Sequence, residues 1–240
     1  PQWTKGKSGT ALQFDGKNDY VNCENGSNLN FGTGDFSIET WFKSPIGHDG
    51  VNRFLVTKYN NGYTQNYLLV QTNGNKLRFS IANGSTAIVA EASDDYNDNK
   101  WHHALAIRNG DSIYLYVDGK LVASNSGVSD YNVDNSSDFF VGARYGLPHY
   151  PFGGIIDEVR VYNRALSAEE VRYHYNQGKP VAQWDMDEGS GSAIKDKSGN
   201  GNNGTIFGAT WAQGKHGTAW SFDGTDDYVD AGNEEKLQIT

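Results

Sequence analysis

Cysteine occurs once in the 240 residues, at Cys23, so neither an internal disulfide nor a thiolate metal site can be built. Proline, at five, is too sparse for a proline-rich linker. No stretch approaches the ~20 apolar residues of a membrane-spanning helix, and no basic start followed by an apolar core reads as a signal peptide, so membrane insertion is not expected. Positive charge is short as well: 20 Lys and Arg face 29 Asp and Glu, giving a formal net charge of −9 with no basic run. The phosphate-neutralising attraction that nucleic acids require is missing, and DNA and RNA are excluded as partners.

What the chain has in quantity is aromatic: 14 Tyr, 11 Phe and 6 Trp, spaced by 29 glycines and dense Asn, Asp and Ser. That mixture suits short strands joined by tight turns, with helix a minor element. The length suits one large all-β domain plus a remnant. A chain of this size buries roughly 70% of its extended surface, so a metal would be a staple rather than a scaffold. Asn-X-Ser/Thr triplets at Asn25, Asn83, Asn135 and Asn203 mark surface loops. The chain opens Pro1-Gln2-Trp3 and stops at Thr240 inside a hydrophobic run, so both ends are expected to be cuts, with export signals outside them.

An internal repeat carries the most information. Trp3 to Val21 aligns without a gap with Trp211 to Val229, an offset of 208 residues, sharing Trp, three Gly, Phe-Asp-Gly and Asp-Tyr-Val. One period is a whole domain, so residues 1–178 read as a sandwich lacking its opening strands, and 179–240 as the opening strands of the next copy. An unpaired sheet edge recruits another strand. Residues 181–210 are therefore expected either to complete the first sandwich in the same chain or to complete a neighbouring copy by strand exchange.

Alternating apolar and polar residues mark half-buried strands at 11–14, 36–42, 53–57, 67–70, 77–81, 101–107, 139–142 and 154–162. Asp118-Gly119 between apolar runs predicts a hairpin with a type I′ turn. One helix is predicted near 167–177, with Ser167 and Glu170 as a capping box and Gly178 closing its end. Many short strands with one late helix predict an all-β, two-sheet antiparallel sandwich.

The strings Phe14-Asp-Gly-Lys-Asn-Asp-Tyr-Val21, Phe36-Ser-Ile-Glu-Thr-Trp-Phe42, Trp101-His-His103, Tyr114-Leu-Tyr-Val-Asp-Gly119 and Phe152-Gly-Gly-Ile-Ile-Asp-Glu-Val-Arg-Val-Tyr162, in that order, resemble the bacterial and archaeal laminin-G-like, concanavalin-type jelly rolls. The resemblance implies a two-sheet jelly roll, an extracellular or cell-surface location, and binding of a glycan or cell-surface protein rather than chemistry. It also implies that the first and last strands lie close, bringing the Asp15, Asn18 and Asp19 turn to Asp157 around one structural calcium ion. Asp223, Asp226 and Asp227 repeat that turn. The same residues also read as an ordinary Asp-Gly turn and a hydrogen-bonded strand-end carboxylate.

His102 and His103 are adjacent on a strand and point to opposite faces, so they do not form a metal pair. For ligand contact the best residues are Arg144, Tyr145, His149 and Tyr150, in a loop whose prolines limit its freedom; sugar faces stack on aromatic rings while arginine bonds hydroxyls. Tyr59, Asn60, Asn61 and Tyr63 form a second candidate edge. A glycan-active jelly roll would need two carboxylates across one groove. The nearest match, Asp185-Met-Asp187-Glu188, runs straight into Gly189-Ser-Gly. No nucleophile elbow or zinc-binding His pair occurs. A non-catalytic binding or adhesion module is the expected function, a spacer or filament repeat the alternative, and a glycan-active enzyme the second alternative.

Overall fold

The computed structural model describes residues 1–45, 50–59, 65–84, 86–144, 150–180 and 182–232, which fall into two compact units, Pro1–Tyr175 and Asn176–Thr240. Among the described residues the first unit contains β1 (Gln2–Lys5), β2 (Thr10–Asp15), β3 (Val21–Asn22), β4 (Phe36–Lys43), β5 (Arg53–Tyr59), β6 (Gln65–Gln71), β7 (Lys76–Asn83), β8 (Thr86–Asp95), β9 (Trp101–Asn109), β10 (Ser112–Val117), β11 (Lys120–Ser126), β12 (Phe139–Val141), β13 (Gly153–Tyr162) and α1 (Ala168–Tyr175). They build a seven-stranded sheet, β1-β2-β13-β4-β9-β10-β11, and a six-stranded one, β3-β12-β5-β6-β7-β8, with every pairing antiparallel. The all-β two-sheet sandwich with one short helix is thus the observed fold.

The two-residue period of β4 explains its place. Phe36, Ile38 and Phe42 point into the core between the sheets, where they meet Tyr67, Leu69, Phe79, Ala104, Leu115 and Phe152. The intervening Glu39 and Trp41 face the other way, towards α1. Ser167 Oγ accepts the Glu170 N–H at 3.2 Å while the Glu170 carboxylate accepts the Ser167 N–H at 2.9 Å, so the predicted capping box forms. Val171 then buries against Leu105 and Ile107 of β9. Asp118 and Gly119 both take positive φ, 51° and 78°, which closes the β10–β11 hairpin as expected.

Two buried cations order the coil between β11 and β12. The Arg108 guanidinium donates to the carbonyls of Gly32, Val128, Ser129 and Tyr131. The Lys58 ammonium donates to Asn25 Oδ1, Asn135 O and Ser137 O at 2.8–2.9 Å.

The second unit holds β14 (Ala193–Ile194), β15 (Gly204–Phe207), β16 (Thr210–Gln213), β17 (Thr218–Ser221) and β18 (Tyr228–Asp230), paired as β14-β15-β18 and β16-β17. The duplicated segment repeats its structure. The β1–β2 pairing of Gln2 with Gln13 becomes Thr210 with Ser221, and the turn bond from the Gly6 N–H to Gly9 O becomes Gly214 to Gly217, both at 3.0 Å. Both sheets of the first unit are built from strands within residues 2–162, and those of the second from residues 193–230.

Candidate functional site

The Asp15 turn is fixed by its own carboxylates. Asp15 Oδ1 accepts the N–H groups of Lys17 at 2.8 Å, Asn18 at 3.1 Å and Asp19 at 3.3 Å, while Asp19 Oδ2 accepts the Asp15 N–H at 2.9 Å. The Lys17 and Asn18 hydrogen bonds hold the Asp15 carboxyl below its usual range. Asp157 is not at this turn. β13 sets Gly153 opposite Asp15, and Asp157 lies four residues further along, roughly 13 Å at strand spacing. It is buried at the other end of β2, where Oδ2 accepts the Ser8 N–H at 3.1 Å and Oδ1 the Glu158 N–H at 2.9 Å. The quartet of Asp15, Asn18, Asp19 and Asp157 is therefore not assembled around one point, because the antiparallel register carries Asp157 away from the turn.

The repeated turn differs in one ligand type: Asp226 stands where the first copy has Asn18. Carboxylate oxygens of Asp223, Asp226 and Asp227 all lie within 4.8 Å of one another. Asp227 Oδ2 accepts the Asp223 N–H and Asp223 Oδ1 the Thr225 N–H, both at 2.8 Å. Three hard oxygen donors so close fit a divalent cation of the calcium type.

Among the described residues, Arg144, Tyr59 and Tyr150 of the candidate ligand edges cluster around Phe54 of β5. Arg144 follows β12, and its guanidinium carbon sits 3.8 Å over the Tyr59 ring and 6.0 Å from that of Phe54. The Tyr150 ring lies 6.1 Å from Phe54, and its carbonyl accepts the Phe54 N–H at 3.4 Å. The Arg53 guanidinium packs against Gly16 and Gly153, linking this cluster to the Asp15 turn. Tyr59 is only 4% exposed and its ring is covered by Arg144, so it anchors the arginine and is not itself a stacking face for a sugar. Tyr150, 41% exposed, does present a ring. Tyr145, His149, Asn60, Asn61 and Tyr63 lie outside the described residues.

Sequence reading missed the centre of the opposite face. Glu39 is fully buried; its Oε1 accepts Arg160 Nη1 at 3.0 Å and the Tyr162 hydroxyl at 2.9 Å, and its Oε2 faces His103 Nε2 at 3.1 Å and His174 Nδ1 at 2.9 Å. Burial alone would raise its pKa, but the hydrogen bonds from His103, Arg160 and His174 outweigh it and bring the carboxyl down to about 2. Alternation marked Glu39 only as a polar residue between apolar ones. Its partners come from β9, β13 and α1, far off in sequence. His102, on the other face of β9, bonds Asp118 at 2.8 Å and Asp98 at 3.0 Å. Burial works against its charge, yet the two carboxylates prevail and raise its pKa. Asp185, Asp187 and Glu188 lie outside any strand, and each accepts a hydrogen bond: from Gln183 Nε2, Thr218 N–H and Lys195 N–H respectively.

No helix among the described residues is long and apolar enough to cross a membrane. No curated protein matches the chain. Among solved structures, the CBM40 of the Ruminococcus gnavus IT-sialidase bound to α2,3-sialyllactose superposes with a TM-score of 0.55 at 14% identity, covering 69% of this chain and 95% of that one. Domain 4 of AbnA, an extracellular arabinanase from Geobacillus stearothermophilus, in complex with arabinotriose, gives 0.57 at 18% identity, covering 71% and 78%. The binding domain of Paraclostridial Mosquitocidal Protein 1 gives 0.62 at 16%, covering 95% and 66%. At these identities the likeness is one of fold. The Laminin_G_3 profile, described as concanavalin A-like lectin/glucanases superfamily, matches residues 15–172, well over half of the chain, and the chain therefore belongs to that family.

Proposed function

We propose that the first unit is a non-catalytic module of an extracellular or cell-surface protein that binds carbohydrate, or a glycosylated surface in adhesion, at the cluster that Arg144 and Tyr150 form around Phe54. One observation carries the reading: a guanidinium held at 3.8 Å on a buried tyrosine, beside a tyrosine 41% exposed. The buried ring orders Arg144 before a ligand arrives, which lowers the entropic cost of using it, and the exposed ring of Tyr150 gives a sugar face a stacking partner. The solved relatives in complex with sialyllactose and arabinotriose support the ligand class. The test is a glycan array, followed by titration of each hit with Arg144→Ala and Tyr150→Ala. Either substitution is expected to weaken binding about tenfold or more, roughly 1.4 kcal/mol. Silence of the wild-type chain, or unchanged affinity in both variants, would overturn the proposal.

Calcium belongs to this reading as a structural ion at Asp223, Asp226 and Asp227. A ligand that prefers the native state raises the melting midpoint. Millimolar calcium is expected to do so for the wild-type chain and not for Asp226→Asn. Equal midpoints with calcium and with chelator would remove the ion. The duplicated hairpin favours a second reading, a spacer built of copies.

A further inference from the structure

We propose that the first unit carries a receptor for residues 184–207 of a second copy of this chain, formed by the β1–β2 hairpin and the outer edge of β3. The template is internal. In the second unit, this segment already lies on the duplicate of those elements. Asp187 Oδ1 accepts the Thr218 N–H at 3.0 Å, Met186 O accepts the Thr218 hydroxyl at 2.7 Å, and Gly191 O accepts Trp211 Nε1 at 3.1 Å. β15 pairs with β18, setting Thr205 opposite Asp230, Ile206 opposite Val229 and Phe207 opposite Tyr228, with the last pair of rings stacked at 4.7 Å.

Every position that receives the segment has its counterpart in the first unit, 208 residues earlier: Trp3, Thr10, Tyr20, Val21 and Asn22. There Trp3, Thr10 and Asn22 are exposed, while Tyr20 and Val21 are partly buried against the first sandwich. Trp3 is 77% exposed. A methyl group at Gly9 would meet nothing within 4 Å, whereas at Gly217 it would collide with Asp187 Oδ1. Beside Trp3 and Leu12 runs a groove of about 240 Å³, lined further by Val21, Val141, Ile156 and Val159.

The hydrogen-bonding edges agree. β3 is the end strand of its sheet. The Cys23 N–H bonds Phe139 O, so Cys23 and Val21 face β12 and Asn22 faces outward. In the duplicate, the Ile206 N–H bonds Ser192 O, so Thr205 and Phe207 face β18, and their partners Asp230 and Tyr228, the copies of Asn22 and Tyr20, face β15. β15 thus occupies the very edge that β3 leaves open. Docked in the same register, Thr205 lies opposite Asn22 and Phe207 opposite Tyr20. Ile206 comes opposite Val21, on whose side it enters the groove, since opposed residues share a face. Addition of a strand to an open edge is an established mode of recognition.

The chain carries β12 and β13 once, so only the first unit offers Val141, Ile156 and Val159 to the segment. This extra apolar contact favours exchange of the segment onto a second copy over its resting place on the duplicate. Each copy has one donor segment and one receptor, so exchange either closes a ring of copies, a reciprocal dimer being the smallest, or propagates as an open chain.

The test uses full chains carrying Cys23→Ser. One also carries Asn22→Cys, the other Thr205→Cys, both at exposed positions. Mixed under mild oxidation, they are expected to give a disulfide-linked heterodimer about tenfold above a mismatched pair of Thr205→Cys with Ser27→Cys, because only the proposed register brings the thiols within bonding range. A chain bearing both Asn22→Cys and Thr205→Cys that closes on itself as a monomer, with no heterodimer in the mixture, would overturn the second copy as donor. A bond between Thr205→Cys and Asp230→Cys with none to position 22 would overturn the receptor altogether. In the chain free of cysteine, sedimentation equilibrium is expected to show concentration-dependent association that Ile206→Asp abolishes; association surviving that substitution would equally refute the proposal.

Discussion

Replacing Glu39 with alanine is expected to lower the stability of the first unit by about 3–5 kcal/mol, the cost of breaking a buried ionic cluster from one side. For a unit of this size that corresponds to a fall of roughly 10 °C in the melting midpoint. The carboxylate serves Arg160, Tyr162, His103 and His174 at once, so its removal leaves four polar groups in a buried or half-buried setting with their acceptor gone. Acid should reveal the same dependence. The folded carboxyl titrates near 2 against an ordinary 4.5, so the unfolded chain takes up the proton first. Its contribution is complete above pH 4.5 and is lost as pH falls towards 2. Urea melts of wild type and Glu39→Ala should therefore differ widely at pH 7 and converge at the acid end. A difference below about 1 kcal/mol at pH 7 would mean that water replaces the carboxylate without loss.

Gly154→Ala is expected to be as damaging, by about 3–5 kcal/mol, for a reason of shape alone. Gly154 has φ +143°, and a methyl group there would drive into the carbonyl oxygen of Lys43 and lie 2.9 Å from the Phe152 ring. The carbonyl belongs to β4, which is locked between β13 and β9 and has no room to retreat. Gly9→Ala, with φ +64° and open space around the site, supplies the control: backbone strain without collision, about 1 kcal/mol. Soluble yield and urea midpoints of the two variants separate these effects. Equal midpoints would show that the β4–β13 contact yields.

Much of the sandwich was legible from local pattern. Phe36, Ile38 and Phe42 announce a strand with one face in the core, Asp118-Gly119 announces its hairpin, and Ser167 with Glu170 announces the helix start, because each signal is complete within a few residues. The Asp15 turn was legible for the same reason, down to its copy at Asp223. What the chain did not disclose was register. Placing Asp157 at the far end of β2, away from the Asp15 turn, requires knowing that Gly153, not Asp157, opposes Asp15, and nothing near either residue encodes that. Glu39 is the same failure in the other direction: a single acid in an apolar alternation looks solvent-facing until α1 is folded over it. In sequence Tyr59 and Arg144 belong to two separate candidate ligand edges, whereas the fold stacks one on the other and leaves Tyr150 as the exposed ring among the described residues of those edges.

The oxygen cages around Lys58 and Arg108 have a practical consequence. Between them they pin the coil from Val128 to Ser137 through its peptide carbonyls, a task that many exported domains assign to cystine bridges. These staples are non-redox: a reductant has nothing to cleave, and a misfolded chain has no wrong sulfur partner to choose. The module should therefore reach its native state as readily in the reducing interior of an expression host as in an oxidising medium.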